Sequence, residues 1–411
     1  MHPLDALLAD PALIDDPYPT YRRLREEAPV FWSEHMNGWV VTSYDGVLRT
    51  FSDPQHFRNG GRFEPVFDAL PAEVHAEFAP MRRHFMHGII GADPPDHTRM
   101  RALIQKAFTP RALDAMRAPV QVIVDQLLDD CAGRDEFDVV RDLANPLPVL
   151  VIAQMMGVPL EMGPQFKRWS DEVMRFQSSG RAALDEMRIS HRALFEFRAA
   201  LEDLFAQRRA EPRDDLITAL VQAEEQGDRL SQEEMLATCV TLLVAGHETT
   251  TNLIANGLLA LLRNPEQLAA LRANPSLTAT ATAIEEMLRY DTSLQRNRRI
   301  VGEDVEIHGQ HLRKGQFVMQ VIGAANHDPA VFREPETFDI ARNPNPHLGF
   351  GRGIHFCLGA PLARIEAPAA LLSLLERFPH VQLAREQQDW RREMGALRSM
   401  RTLYVTKIPV F

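Results

Sequence analysis

The sequence predicts a mainly α protein with small β-sheets at its edge (α+β), and three observations carry that expectation. From about residue 97 to 290 the hydrophobic spacing is mostly helical, broken at Pro119, Pro146, Pro148, Pro159, Pro164 and Pro212. Between about 293 and 320 the pattern changes to short β-prone runs. One segment, Ser231 to about Arg263, is apolar nearly all round, as a helix through the middle of a protein would be.

Taken in order, Pro17 to Glu27 reads as a short helix. Val30–Glu34 and Trp39–Thr42 flank Asn37-Gly38, a hairpin signal. Asp93-Pro94-Pro95 makes a turn into a helix with Asp96 as its N-cap. In the long helix, Ser231 and Glu234 form a capping box, Leu236, Val240, Leu243, Ile254, Leu258 and Leu261 recur at helical spacing, and Asn264-Pro265 ends it. Val305–Ile307, a turn at Gly309, Leu312 and Phe317–Ile322 make the β-rich stretch. Residues 326 to 350 are loop-like, Ala360 to Leu375 is helical, and Leu403–Ile408 is a closing strand. No repeat or low-complexity linker divides the chain, so residues 1–411 are expected to form a single domain.

Composition narrows the function classes. Apolar residues make up 45% and charged residues 25% of the 411, enough for a large core. A net charge of -11 argues against nucleic acid or an anionic membrane as a general partner. Cys131, Cys239 and Cys357 are sparse and far apart, which fits a reducing compartment without a disulfide framework. No stretch reaches the roughly 18 apolar residues of a membrane span, and the first residues lack a signal-peptide pattern, so a cytoplasmic protein is expected.

The chemistry concentrates in two places. Cys357 ends the Gly-punctuated stretch Phe350-Gly351-Arg352-Gly353-Ile354-His355-Phe356-Cys357-Leu358-Gly359, just before a helix. Unpaired N–H groups and the helix dipole favour a thiolate there, which suits an axial ligand to haem iron. The central helix carries Ala245-Gly246-His247-Glu248-Thr249-Thr250, where a buried carboxylate is costly unless paired or used. His247-Glu248 could begin a zinc-binding His-Glu-x-x-His helix, but the fifth residue is Thr251 and the second ligand is missing. Glu286 and Arg289 share a helical face three residues apart.

Together these motifs resemble those of the cytochrome P450 family, most closely its soluble bacterial members, over nearly the full chain from Asp16-Pro17-Tyr18 onward. The resemblance implies that fold, with haem b between the long central helix and the cysteine loop and Cys357 as the iron ligand. It implies Glu248 as the acid and Thr249 as the alcohol that deliver protons for O–O cleavage. Ala245 and Gly246 would pass over the haem, Phe350 and Gly359 would bind it from the cysteine loop, and His97, Arg101, Arg299 and His355 would grip the propionates. Arg298 is an alternative to Arg299, one residue out of register. Glu286, Arg289 and Arg342 would brace the loop. Phe85, Ile89, Leu242, Ala245, Leu294, Gln295 and Leu397 would line the substrate site, with Phe78, Met86, Ile90, Met174 and Phe176 nearby. One departure is that the family commonly has a proline shortly after the residue equivalent to Tyr290, where this chain has Asp291-Thr292-Ser293.

The implied activity is that of a haem-thiolate monooxygenase inserting one atom of O2 into a small, largely apolar substrate by hydroxylation or epoxidation. Electrons would come from a ferredoxin and its reductase, since no Gly-x-Gly-x-x-Gly follows a strand and no Cys-rich iron–sulfur segment is present. Arg101, Arg111, Arg352 and Arg364 would offer the ferredoxin a basic patch. The protein is expected to act as a monomer. The alternatives are a peroxide-driven peroxygenase and a non-catalytic haem-binding sensor; the retained Glu248/Thr249 pair weighs against both.

Overall fold

A computed structural model describes residues 2–105, 108–179, 183–225 and 230–407. The chain divides into two compact units: Met1–Arg58, Val124–Asn145 and Thr249–Phe411 form one, Asn59–Ile123 and Pro146–Glu248 the other.

The first unit is organised by a five-stranded sheet in the order Val30–Ser33, Gly38–Val41, Phe317–Val321, Arg296–Val301, Phe57–Arg58. The first two strands form the expected antiparallel hairpin, with Asn37 supplying the left-handed turn residue at φ 48°. Phe317–Val321 then lies parallel to Gly38–Val41 and antiparallel to Arg296–Val301. Side chains alternate between the sheet's two faces. Val318 faces Val47, Phe51, Phe332 and Leu348, while Met319 and Val321 face Leu4, Tyr21 and Leu24. Both faces are therefore covered, each buried large side chain contributing about 1.5–3 kcal/mol.

Two details depart from the sequence reading. The strand expected over Phe317–Ile322 stops at Val321, and Ile322 opens a short helix to Ala325. A three-residue strand, Glu136–Asp138, interrupts the region read as helical. It pairs with Tyr404–Thr406, itself paired with Gln382–Leu383. Such a strand is made by a partner more than 250 residues away, so local pattern cannot reveal it. Ile408, the expected end of the closing strand, lies outside the described residues.

The second unit is helical. Its members include Asp96–Gln105, Gly163–Ser179, Leu184–Ala210 and the N-terminal part of Gln232–Arg263. Phe197 stacks on Trp169 at 5.5 Å and meets Phe166 edge-on at 5.0 Å, joining the second and third of these. The buried Arg208 binds Asp215 and the Gly157 carbonyl. The capping box forms as expected: the Ser231 N–H donates to Glu234 Oε2 at 2.8 Å and the Glu234 N–H to Ser231 Oγ at 3.2 Å. Among the described residues no helix is long and apolar enough to cross a membrane.

Candidate functional site

In the first unit, the Cys357 loop is held open. From Gly349 to Gly359 every residue is half-exposed or exposed, although Leu348 before it and Ala360 after it are buried. Gly351 and Gly353 take left-handed backbone at φ 68° and 70°, and a Cβ on Gly353 would fall 2.4 Å from the Phe51 carbonyl oxygen. The Cys357 N–H donates to the Phe350 carbonyl at 3.0 Å, and the Leu348 N–H to Asn326 Oδ1 at 2.8 Å. These bonds present an exposed sulfur three residues before the helix Ala360–Arg377. Cys131 and Cys239 are buried, and burial pushes the Cys239 thiol far up, so neither is suited to an exposed ligand role.

Beneath this loop lies a saturated ionic cluster. Glu286 and Arg289 are both 0% exposed and joined by two bonds of 2.7 and 2.8 Å. Arg289 also donates to the carbonyls of Asn326, Pro335 and Thr337. Glu286 further accepts from Arg342 Nε at 3.1 Å, Asn345 Nδ2 at 3.2 Å and the Asp339 N–H at 2.9 Å. The three residues read as a brace thus meet, and they fix residues 326 to 345 upstream of the cysteine.

Arg298 and Arg299 separate cleanly. They follow each other on the strand Arg296–Val301 and so point to opposite faces. Arg299 is buried and its guanidinium sits 5.4 Å from the Phe51 ring, the same ring that abuts Gly351. Arg298 instead lies over Phe317 at 5.6 Å. Arg299 is therefore the arginine on the side of the cysteine loop. His355 closes a single 3-10 turn, Gly353–His355, within that loop.

In the second unit, Asp96 is the first residue of its helix, and its carboxylate meets Arg99 at 3.4 Å; the Asp93 carboxylate accepts instead from the Asn59 and Gly60 N–H groups. His97 is buried, and burial followed by the nearby Arg101 charge lowers its pKa. Along Gln232–Arg263 an open stripe appears: Thr241, Leu242, Ala245, Gly246 and Thr249 are half-exposed while Leu243, Val244, His247, Glu248 and Thr250 are buried. These positions recur at helical spacing, so one face of an otherwise buried helix is uncovered and bears small groups. Ser293 Oγ donates to the Thr249 carbonyl at 2.7 Å, engaging one helical acceptor from outside.

His247 belongs to the covered face. Its Nδ1 lies 3.1 Å from Ser170 Oγ, and its Nε2 3.1 Å from Asp171 Oδ1 and 3.5 Å from Glu248 Oε1. Burial opposes charge on the ring, but the bonds to Asp171 and Glu248 outweigh it and push the pKa up to about 9. Burial likewise opposes charge on Asp171, yet His247 and Lys167 hold it down to about 2. Ser170 and Asp171 escape sequence reasoning because they sit 76 to 77 residues from His247 and carry no motif.

The apolar candidates divide. Leu294 and Leu397 are bridged backbone to backbone and half-exposed. Phe85 packs on Phe176 at 5.0 Å and Phe63 at 5.1 Å, and Ile89 is buried beside them in sequence. Phe78 is core and Met86 is 43% exposed. Gln295, read as a polar anchor, is 4% exposed; its Nε2 donates to the Thr292 carbonyl at 2.8 Å and Tyr18 Oη at 3.3 Å, while its Oε1 is buried with no hydrogen-bond partner among the described residues. The missing proline has a physical replacement. Asp291 accepts from Tyr18 Oη at 2.5 Å and Arg398 Nε at 3.1 Å, and Arg398 also binds the Ile14 and Asp15 carbonyls. This tie substitutes an ionic link for proline's stiffness.

Arg364, one of the four arginines read as a basic patch, has an ionic partner. It is bound bidentately by Glu285 at 2.6 and 2.9 Å and stacks over Phe350 at 4.7 Å. Burial works against the Glu285 charge, but Arg364 and His347 hold its pKa down to about 2. Its charge is thereby matched, unlike that of an unengaged docking arginine.

The donor set suits haem. An exposed thiol at a helix start is a soft axial ligand, the Gly-rich loop leaves room for a flat ring, and the buried Arg299 is placed for a carboxylate on the loop's side. Comparison with known proteins agrees. A family profile described as Cytochrome P450 matches residues 71–405. Cytochrome P450 107B1 of Saccharopolyspora erythraea is 41% identical over 412 residues, 99% of this chain and 97% of the relative. The 6-deoxyerythronolide B hydroxylase of the same organism is 38% identical, covering 92% and 93%. Among solved structures, P450BioI in complex with hexadec-9Z-enoic acid ligated acyl carrier protein matches with TM-score 0.88 and 35% identity, over 96% of this chain and 99% of that one.

Proposed function

The chain belongs to the cytochrome P450 family, and on that premise we propose that it hydroxylates or epoxidises a small, largely apolar molecule with electrons from a separate ferredoxin and reductase. Membership makes it a monooxygenase that binds haem b through a cysteine thiolate. The observation that carries the reading of this chain is Cys357: its side chain alone among the three cysteines is exposed, in a loop kept open by Gly351 and Gly353.

When bound, the haem supplies activation of dioxygen by two electrons delivered from outside the chain. The rest falls to side chains. Cys357 provides the sulfur, with its charge favoured by the helix start behind it. Arg299, His97, Arg101 and His355 are the donors assigned to the two propionates. Glu248, 1% exposed, holds a proton beside Thr249, whose hydroxyl passes it into the site. By the family resemblance, Phe85, Ile89, Leu242, Ala245, Leu294 and Leu397 are the residues assigned to exclude water and orient an apolar substrate. A largely apolar substrate is favoured because the side chains assigned to the site are mostly apolar.

The reduced carbon monoxide complex tests the central assignment. We expect the red-shifted Soret band of thiolate ligation, and its loss in Cys357→His. A histidine-type spectrum in the unaltered protein would overturn the reading.

A further inference from the structure

His247 is a residue the acid–alcohol pair does not itself require, yet it is built into the helix with care. It is 1% exposed, and both ring nitrogens meet polar groups of the helix Gly163–Ser179. Beyond it, Asp171 Oδ2 lies 2.6 Å from Lys167 Nζ. Exposure falls inward along this row, from 32% at Lys167 and 24% at Asp171 to 1% at His247 and Glu248. The acid assigned to proton delivery is thus reached from solvent through two titratable neighbours.

We propose that Asp171 and His247 form a proton inlet that recharges Glu248 from solvent, a role that rests on the reading of Glu248 as the acid. The shared Nε2 is the exchanging atom. Its N–H bond breaks as an O–H bond forms on Glu248 Oε1, leaving a neutral ring. Asp171, a carboxylate at rest, then takes a proton from solvent on Oδ1 and hands it to Nε2, returning to the carboxylate. Each transfer moves one proton and no electrons, so the net result is one proton from solvent to Glu248. Throughout, Nδ1–H is held by Ser170 Oγ, which keeps the ring's orientation. The groups facing the ring are Ser170 and Asp171, with Lys167 behind, from the neighbouring helix, and Glu248 from its own. Because those carboxylates push the ring's pKa up to about 9, it is loaded at neutral pH. Asp171 and His247 are positioning and relay residues; neither needs to touch substrate.

The test uses the haem-loaded full chain and its Asp171→Asn, Asp171→Glu, His247→Gln and Glu248→Gln variants, each first checked for the thiolate carbon monoxide spectrum. Nitrogen-15 NMR follows the His247 ring, and NADPH-driven dioxygen consumption with a surrogate ferredoxin and reductase is measured in H2O and D2O. In Asp171→Asn the ring should titrate at least about one pH unit lower, since a carboxylate partner favours the charged ring. Consumption should slow by about tenfold in Asp171→Asn and His247→Gln with a larger solvent isotope effect, less than for an acid–base group acting on the reacting atoms themselves. Asp171→Glu should restore both. If Glu248→Gln slows consumption and the Asp171 and His247 variants do not, the inlet is wrong while the acid stands. If Glu248→Gln has no effect, the acid assignment itself fails, and the inlet with it.

Discussion

Two buried ionic clusters in this chain look alike on paper and differ in one respect. Around Glu286 the cations are Arg289 and Arg342; between Asp171 and Glu248 the cation is His247, with Lys167 on the outer side of Asp171. A guanidinium stays charged at any pH a protein survives, so the first cluster can only hold. An imidazole between two carboxylates can give up its proton and regain it, so the second can also conduct. Their surroundings follow the same division. The Glu286 cluster is filled by backbone carbonyls and N–H groups and shut from solvent, whereas the His247 cluster opens at Asp171 and Lys167. Choice of cation, more than burial, separates the structural site from the chemical one.

The strongest way to break the comparison is to remove an arginine. Arg289→Ala leaves Arg342 as the one cation on the buried Glu286 and takes the side-chain donor from the Asn326 and Pro335 carbonyls, while Thr337 keeps Arg342; the loss should cost about 3–5 kcal/mol. Denaturant unfolding should show that loss, together with poor haem retention. Arg289→Lys should recover little, because an ammonium cannot reproduce the two-pronged bond to Glu286. Near-normal stability in Arg289→Lys would show that charge alone, without the fork, suffices.

How far the sequence reveals these clusters depends on how far apart their members lie. Glu286 and Arg289 sit three apart on one helix, and Cys357 lies in a dense local motif, so both are legible. The capping box at Ser231 and the Asn37-Gly38 hairpin are equally local. Asp171 is invisible because nothing in the run around it differs from an ordinary amphipathic helix. The Tyr18–Asp291–Arg398 tie joins positions 273 and 107 residues apart, so only the missing proline hints at it. Arg298 and Arg299 are indistinguishable by composition; the sheet register assigns one to each face. Met86 reads as apolar lining and Gln295 as a polar anchor, yet Met86 is 43% exposed and Gln295 4%, a difference that local pattern does not reveal.

A smaller effect separates the clusters by pH. His247 is pushed up to about 9 from its ordinary 6.5, so the folded chain binds that proton more tightly than the unfolded one. Its stabilisation is present in full below about pH 6.5 and is lost as pH rises toward about 9. Asp171, held to about 2 from 3.8, contributes above about pH 3.8 and loses its part as pH falls toward about 2. Thermal unfolding followed against pH should therefore decline between about 6.5 and 9, and Asp171→Asn should flatten that limb. The Arg289 cluster gives no such limb, because its cations do not titrate there. An alkaline limb unchanged in Asp171→Asn would place its origin elsewhere.

The smallest expected effect concerns two arginines flanking the cysteine loop. Arg364 is neutralised by Glu285, whereas Arg352 lies beside the Tyr44 hydroxyl, a neutral partner. If an acidic ferredoxin docks near the loop, Arg352 retains a charge that can steer it, and Arg364 does not. Arg352→Glu should slow reduction by an acidic ferredoxin by about tenfold at low salt, within the range by which steering changes association rates, and the difference should shrink as salt is raised. Arg364→Gln should change the rate less, since the charge it removes is already matched. Equal effects of the two would mean that pairing with Glu285 does not mask a charge at this surface. The distinction between holding and acting would then have to be drawn from exposure rather than from partners.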